Sequence, residues 1–154
     1  MSHRKLINDE NAQGWIQATQ QEFGWLAQGL DNGLLGTNTI FFIPHAAKPS
    51  NRPATNCRAV ADYNEHKPDP YRVRLTAGGD KVVYTEYVGT PTVDISTVKI
   101  HLNSVISTLD ALYTMVDLKD FYLNTPLEEY EYMRIPVDMI PQTIMDQYNL
   151  AQDL

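Results

Sequence analysis

Three groups of residues have the types and spacing to do chemistry. Asp117 follows the apolar run Ala111-Leu112-Tyr113-Thr114-Met115-Val116, which reads as a strand that delivers the carboxylate at its end. A carboxylate so placed costs free energy unless something pairs with it. A cation is one solution, since magnesium takes one or two carboxylates and completes its shell with substrate phosphates. Capping the following helix is the other. Arg72 and Arg74 form the second group. Alternate side chains of a strand share a face, so this pair presents two guanidinium forks suited to phosphate; a solvated strand face is the ordinary alternative. The third group offers little. Cys57 has no acid or base pattern around it and reads as inert, Asp120 and Asp110 read as solvated or loop residues, and His3, His45, His66 and His101 are scattered without metal-ligand spacing.

The elements that must position these residues follow from periodicity. Residues 11–30 predict a helix, with Trp15, Ala18, Glu22, Phe23, Leu26 and Leu30 near the 3–4 spacing and three glycines weakening it. Asn32-Gly33 marks a turn. Thr39 to Ile43 reads as a buried strand stopped by Pro44, and residues 45–57 as an exposed loop. Arg58 to Tyr63 and Tyr71 to Thr76 alternate, and the polar stretch between them makes a hairpin with a long tip. Arg72 and Arg74 then face one way, Val73 and Leu75 the other. Gly78-Gly79-Asp80 ends the hairpin.

Residues 95–109 predict a second long helix, capped by Asp94 or Ser96, with an apolar stripe of Val98, Leu102, Val105, Ile106 and Leu109. Asp117 to Tyr122 continues into a turn or short helix. Glu131 to Ile135 reads as a strand ended by Pro136, and a last helix starts near Pro141. The class expected is α+β.

Composition sets the outer bounds. The chain has 154 residues, 43% of them hydrophobic, which suits one domain or a piece of a larger one. One cysteine excludes an internal disulfide and a cysteine-rich metal site, and fits a reducing, intracellular setting. The polar start is no secretory signal, and no apolar run is long enough to span a membrane. The net charge of −7 argues against nucleic-acid binding, but the average hides an asymmetry. From His45 to Val83 seven Lys/Arg face four Asp/Glu, a balance of +3; from Asp110 to Leu154 two face nine, a balance of −7. One segment is suited to phosphates and the other to cations.

Taken in order, the motifs resemble a known family. Val116-Asp117-Leu118-Lys119-Asp120-Phe121-Tyr122-Leu123-Asn124-Thr125-Pro126-Leu127 resembles the first catalytic motif of copia-type retrotransposon reverse transcriptases. The stretch Leu127 to Pro136 resembles the acidic turn and Tyr-Met strand that follow it. Tyr71 to Gly79 is similar to the family's basic fingers strand, Tyr84 and the segment Thr90 to Thr108 to its linking loop and helix, and Trp15, Ala18, Glu22 and Leu26 to its opening helix. Each motif is weak alone; the ordered set covers nearly the whole chain.

The resemblance implies fingers and a partial palm of an RNA-directed DNA polymerase: residues 1–36 an N-terminal helical segment, 37–109 fingers-like, 110–154 partial palm. It implies Mg2+ as cofactor, held by Asp117 and the carbonyl of Leu118. Tyr122 would be the steric gate against a ribose 2′-hydroxyl, and Arg72 and Arg74 would reach the triphosphate of the incoming deoxynucleotide. An RNA/DNA template-primer is the implied partner, and a cytoplasmic particle or the nucleus the implied location. The family's Tyr-x-Asp-Asp motif is missing, and no Asp-Asp pair occurs in the chain. One aspartate does not hold two ions, so the expectation is a fragment that is inactive by itself. Its Asp117 strand, left without a partner, would favour self-association and poor stability. A non-catalytic nucleic-acid or nucleotide binding module, or a decayed relic, is the alternative.

Overall fold

The computed structural model describes residues 3–8, 10–82, 89 and 92–150. The chain is a mixed α+β protein in two compact units, one formed by Met1–Val82 with Tyr122–Leu154, the other by Val83–Phe121. Among the described residues no helix is long and apolar enough to cross a membrane.

The first unit is built on α1 (His3–Leu6), α2 (Ala12–Leu26), β1 (Ala54–Tyr63), β2 (Tyr71–Ala77), β3 (Tyr132–Arg134) and α4 (Gln142–Gln147); α3 (Ile95–Ser107) belongs to the second. The expected hairpin forms. β1 and β2 pair antiparallel from Cys57↔Ala77 to Tyr63↔Tyr71. β3 joins the other edge of β1 in parallel, with Ala54↔Tyr132 and Asn56↔Arg134, so the sheet order is β2-β1-β3. One face of the sheet is covered by helix. Leu6, Trp15, Ala18 and Val73 form its buried core, and Ala59, Ala61 and Tyr71 pack against it. The Trp15 and Tyr71 rings meet edge to face, 4.9 Å between centroids.

A second apolar cluster holds α4. Phe23 and Ile144 are fully buried, and Phe42 lies between Phe23 and Tyr148, with ring centroids 6.2 and 5.2 Å away. The Tyr148 hydroxyl donates to the Gly29 carbonyl at 2.6 Å, and Gln147 Nε2 donates to the same oxygen at 3.0 Å. Gly29 has φ +101°, a left-handed conformation open to glycine at no steric cost.

Two expected strands are replaced for a physical reason. Thr39 to Ile43 is no strand, because the backbone N–H groups of Thr37, Thr39 and Ile40 donate to the carbonyls of Trp25, Leu26 and Leu26 at 2.7–3.0 Å, and that of Asn38 to Ala27. The segment satisfies the orphan carbonyls at the end of α2 instead of joining a ladder. Phe41 and Ile43 are exposed, and only Phe42 turns inward. Residues 45–57 are not all loop: His45–Ala47 forms a 3-10 turn, β1 begins at Ala54, and Thr55 and Cys57 are buried.

In the second unit α3 matches its expected span, and Asp94 caps it, its Oδ1 accepting from the N–H of Ser96 (2.8 Å) and Thr97 (3.0 Å). These bonds hold the Asp94 carboxyl below its usual range, the Thr97 hydroxyl contributing most. The expected apolar stripe is not buried: Ile106 and Leu109 are 81% and 91% exposed. The expected strand Ala111 to Val116 is absent too. That run has no regular secondary structure and no ladder partner among the described residues, and apolarity alone makes no strand.

Candidate functional site

β2 positions the two arginines as alternation requires. Val73 is buried against α2, Tyr71 and Leu75 are half-buried, and Arg72 and Arg74 stand exposed on the opposite face. Behind them, Glu22 reaches from α2 to the free edge of β2, where its Oε1 accepts the Leu75 N–H at 3.1 Å. Burial raises the Glu22 carboxyl above its usual range, opposed by the Leu75 bond and by the charges of Arg72 and Arg74. Glu22, Trp25, Lys67, Asp69, Tyr71 and Arg72 line an open cleft of about 460 Å³ along this edge. The cleft sets two cations, Lys67 and Arg72, against two carboxyls, Glu22 and Asp69.

Glu22 makes a separable prediction. Glu22→Ala leaves the Leu75 N–H without its acceptor and costs about 1–3 kcal/mol of stability. Glu22→Gln keeps an acceptor and removes the charge. Because the folded-state pKa is raised, the carboxyl's contribution is fully present below its unfolded pKa and is lost as pH rises through the folded value. The stability of the wild type relative to Glu22→Gln therefore falls as pH rises above the ordinary glutamate value of about 4.3, as denaturant melts at each pH will show.

Asp117 and Leu118 lie in the second unit. They follow the irregular run that replaces the expected strand, and both are exposed, Leu118 at 62%. Asp117 is thus not stranded at the end of a buried strand, and the desolvation argument for a counter-ion does not apply to it. Nor does it cap a helix: residues 119–120 turn, with Asp120 at φ +56°, before the 3-10 turn Phe121–Asn124. Tyr122 lies within that 3-10 turn; the placement of its ring, and with it the steric-gate reading, falls outside the described residues. Arg72 and Arg74 thus share one face of one unit, and Asp117 and Leu118 are neighbours in the other. Tyr84, Thr90 and Pro91, part of the family resemblance, also lie outside the described residues.

As oxygen donors, the Asp117 carboxylate and the Leu118 carbonyl fit one side of a magnesium site. They do not complete one, and among the described residues no three His, Cys, Asp or Glu side chains come together to hold a metal. Cys57 behaves as read: it is buried, and burial pushes its thiol up to about 11, so it carries no thiolate near neutrality.

Sequence reasoning missed three residues. Glu22 was visible as a carboxylate inside the apolar stripe of α2. Arg58 shares the parity of Val60 and Asp62 on β1, and so the face of Arg72 and Arg74. Arg134 reaches that face only through the parallel pairing of β3 with β1, for which no local signal exists. Comparison with protein-family models, curated proteins and solved structures finds no match for this chain.

Proposed function

We propose that the chain carries the fingers and the first palm motif of a copia-type retrotransposon reverse transcriptase, an RNA-directed DNA polymerase. What supports the reading most is the ordered set of motifs along the sequence, together with a hairpin that presents Arg72 and Arg74 side by side in solvent. In this reading the two guanidiniums bind the triphosphate of a deoxynucleotide, each fork taking two phosphate oxygens. Asp117 and the Leu118 carbonyl contribute ligands to Mg2+, and Tyr122 bars a 2′-hydroxyl. The ion, when bound, would neutralise charge that develops on the transferring phosphoryl group. The chain's own residues bind and orient the nucleotide. They do not supply the further carboxylates of a two-ion site, so the 154-residue chain binds nucleotide without extending a primer. The reading is tested by magnesium-dependent deoxynucleotide binding, which Asp117→Asn should abolish.

A second reading, a nucleic-acid binding module without catalysis, is favoured by the +3 balance of residues 45–83 and by the uncovered face of the sheet on which that charge collects.

A further inference from the structure

The sheet has a covered face and an open one. On the open face, β1 contributes Ala54, Asn56, Arg58, Val60 and Asp62, β2 contributes Arg72, Arg74 and Thr76, and β3 contributes Tyr132 and Arg134. All of these are exposed except Ala54 and Tyr132, which are half-buried. Asp62, opposite Arg72, is the sole acid on this face among the described residues. The ion pairs from Arg52 to Glu129 and Glu131, and from His66 to Glu65, include none of the four arginines of the open face. Two acids of the turn that precedes β3, Glu129 and Glu131, are engaged by Arg52.

Register sets the spacing of these charges. Arg134 pairs with Asn56, two residues before Arg58, so Arg134 and Arg58 are diagonal neighbours. Arg58 pairs with Thr76, two residues from Arg74, so that step is diagonal as well. Diagonal neighbours lie about 7–8 Å apart, and Arg74 and Arg72 about 7 Å apart along one strand. The result is a stripe with even steps, Arg134–Arg58–Arg74–Arg72, crossing all three strands.

We propose that, when no nucleotide occupies Arg72 and Arg74, this open face docks the phosphodiester backbone of a single nucleic-acid strand, with the four arginines each neutralising a phosphate. The choice of polyanion rests on the nucleic-acid side of the function proposed above, not on its polymerase chemistry. A protein partner of matching charge fits less well. Protein interfaces need a desolvated apolar centre, and this face offers Val60, Ala54 and the half-buried Tyr132. The Tyr132 ring instead suits stacking by a base, which works for any sequence. The contacts of the four arginines go to phosphates, which carry no sequence information, so the binding is independent of sequence.

The test is fluorescence anisotropy with a labelled single-stranded 12-mer RNA of mixed sequence, in EDTA, for the wild type and for Arg58→Gln/Arg134→Gln. With no metal present the assay is blind to any role of Asp117, so its failure is distinct from failure of the polymerase reading. Four neutralised phosphates on a single strand give a slope of log K against log salt of about −2.8, and two about −1.4. Between about 50 and 200 mM salt, wild-type affinity should therefore fall about 50-fold and that of the double variant about 7-fold. Circular dichroism and melting of the variant confirm that it folds. Equal affinities and slopes for the two proteins would overturn the proposal. So would a wild-type slope shallower than about −1.4, which needs no variant at all, or displacement of the RNA by poly-glutamate at equal charge concentration, which would mark a surface for acidic protein.

Discussion

Phe23→Ala unfolds the cluster that joins α2 to α4, at a cost of about 3–5 kcal/mol. Phe23 is fully buried and the largest such side chain among the described residues. Its ring stacks on Phe42, which in turn meets Tyr148. Truncation removes the transfer free energy of the ring and leaves a cavity beside Phe42, and a small domain has little stability to spare. The effect should reach beyond the cavity. The segment 37–40 is tied to the end of α2 by backbone bonds, and Tyr148 and Gln147 are tied to Gly29, so all three lose their frame together. Urea melts of the variant should show a large fall in midpoint or no cooperative transition. A loss below about 1 kcal/mol would mean that Phe23 is not the anchor of this cluster.

A large loss of nucleotide affinity is expected from Arg72→Gln/Arg74→Gln. A charge-assisted hydrogen bond contributes about 1.5–3 kcal/mol net, and at about 1.4 kcal/mol per tenfold the two changes together weaken deoxynucleoside triphosphate binding at least 100-fold. Both side chains are exposed on a strand whose opposite face makes the core, so the change leaves Val73 and its packing untouched. Equilibrium dialysis with a labelled deoxynucleotide measures the loss. A change under threefold would remove the arginines from the nucleotide site.

The hairpin was legible because its signal is local. Alternation from Arg58 to Tyr63 and from Tyr71 to Thr76 indicates which residues face the core, and the polar tip between them indicates the pairing. α2 and the Asp94 cap were legible for the same reason. What failed were the apolar runs. Thr39 to Ile43 and Ala111 to Val116 both read as strands from composition, but a strand is made by its partner. The first run spends its N–H groups on the carbonyls of α2, and the second has no ladder partner among the described residues. That changes the meaning of Asp117, whose reading rested on a buried strand behind it. The parallel pairing of β3 with β1 joins residues nearly 80 positions apart, and no spacing in the sequence announces it. It was also the step that brought Arg134 beside Arg58, so the open face could be assembled only from the fold. Tyr122 and Leu118 rest on the family resemblance alone, since nothing in their own types or spacing points to a gate or a metal ligand.

The central claim is that Asp117 keeps the metal-binding role of a polymerase's first motif, and calorimetry tests it most directly. Magnesium is titrated into the purified chain with a deoxynucleoside triphosphate present, for the wild type and for Asp117→Asn, with magnesium into nucleotide alone subtracted. The account predicts a saturable heat for the wild type that disappears in the variant. The same heat in both proteins, or none in either, would contradict it.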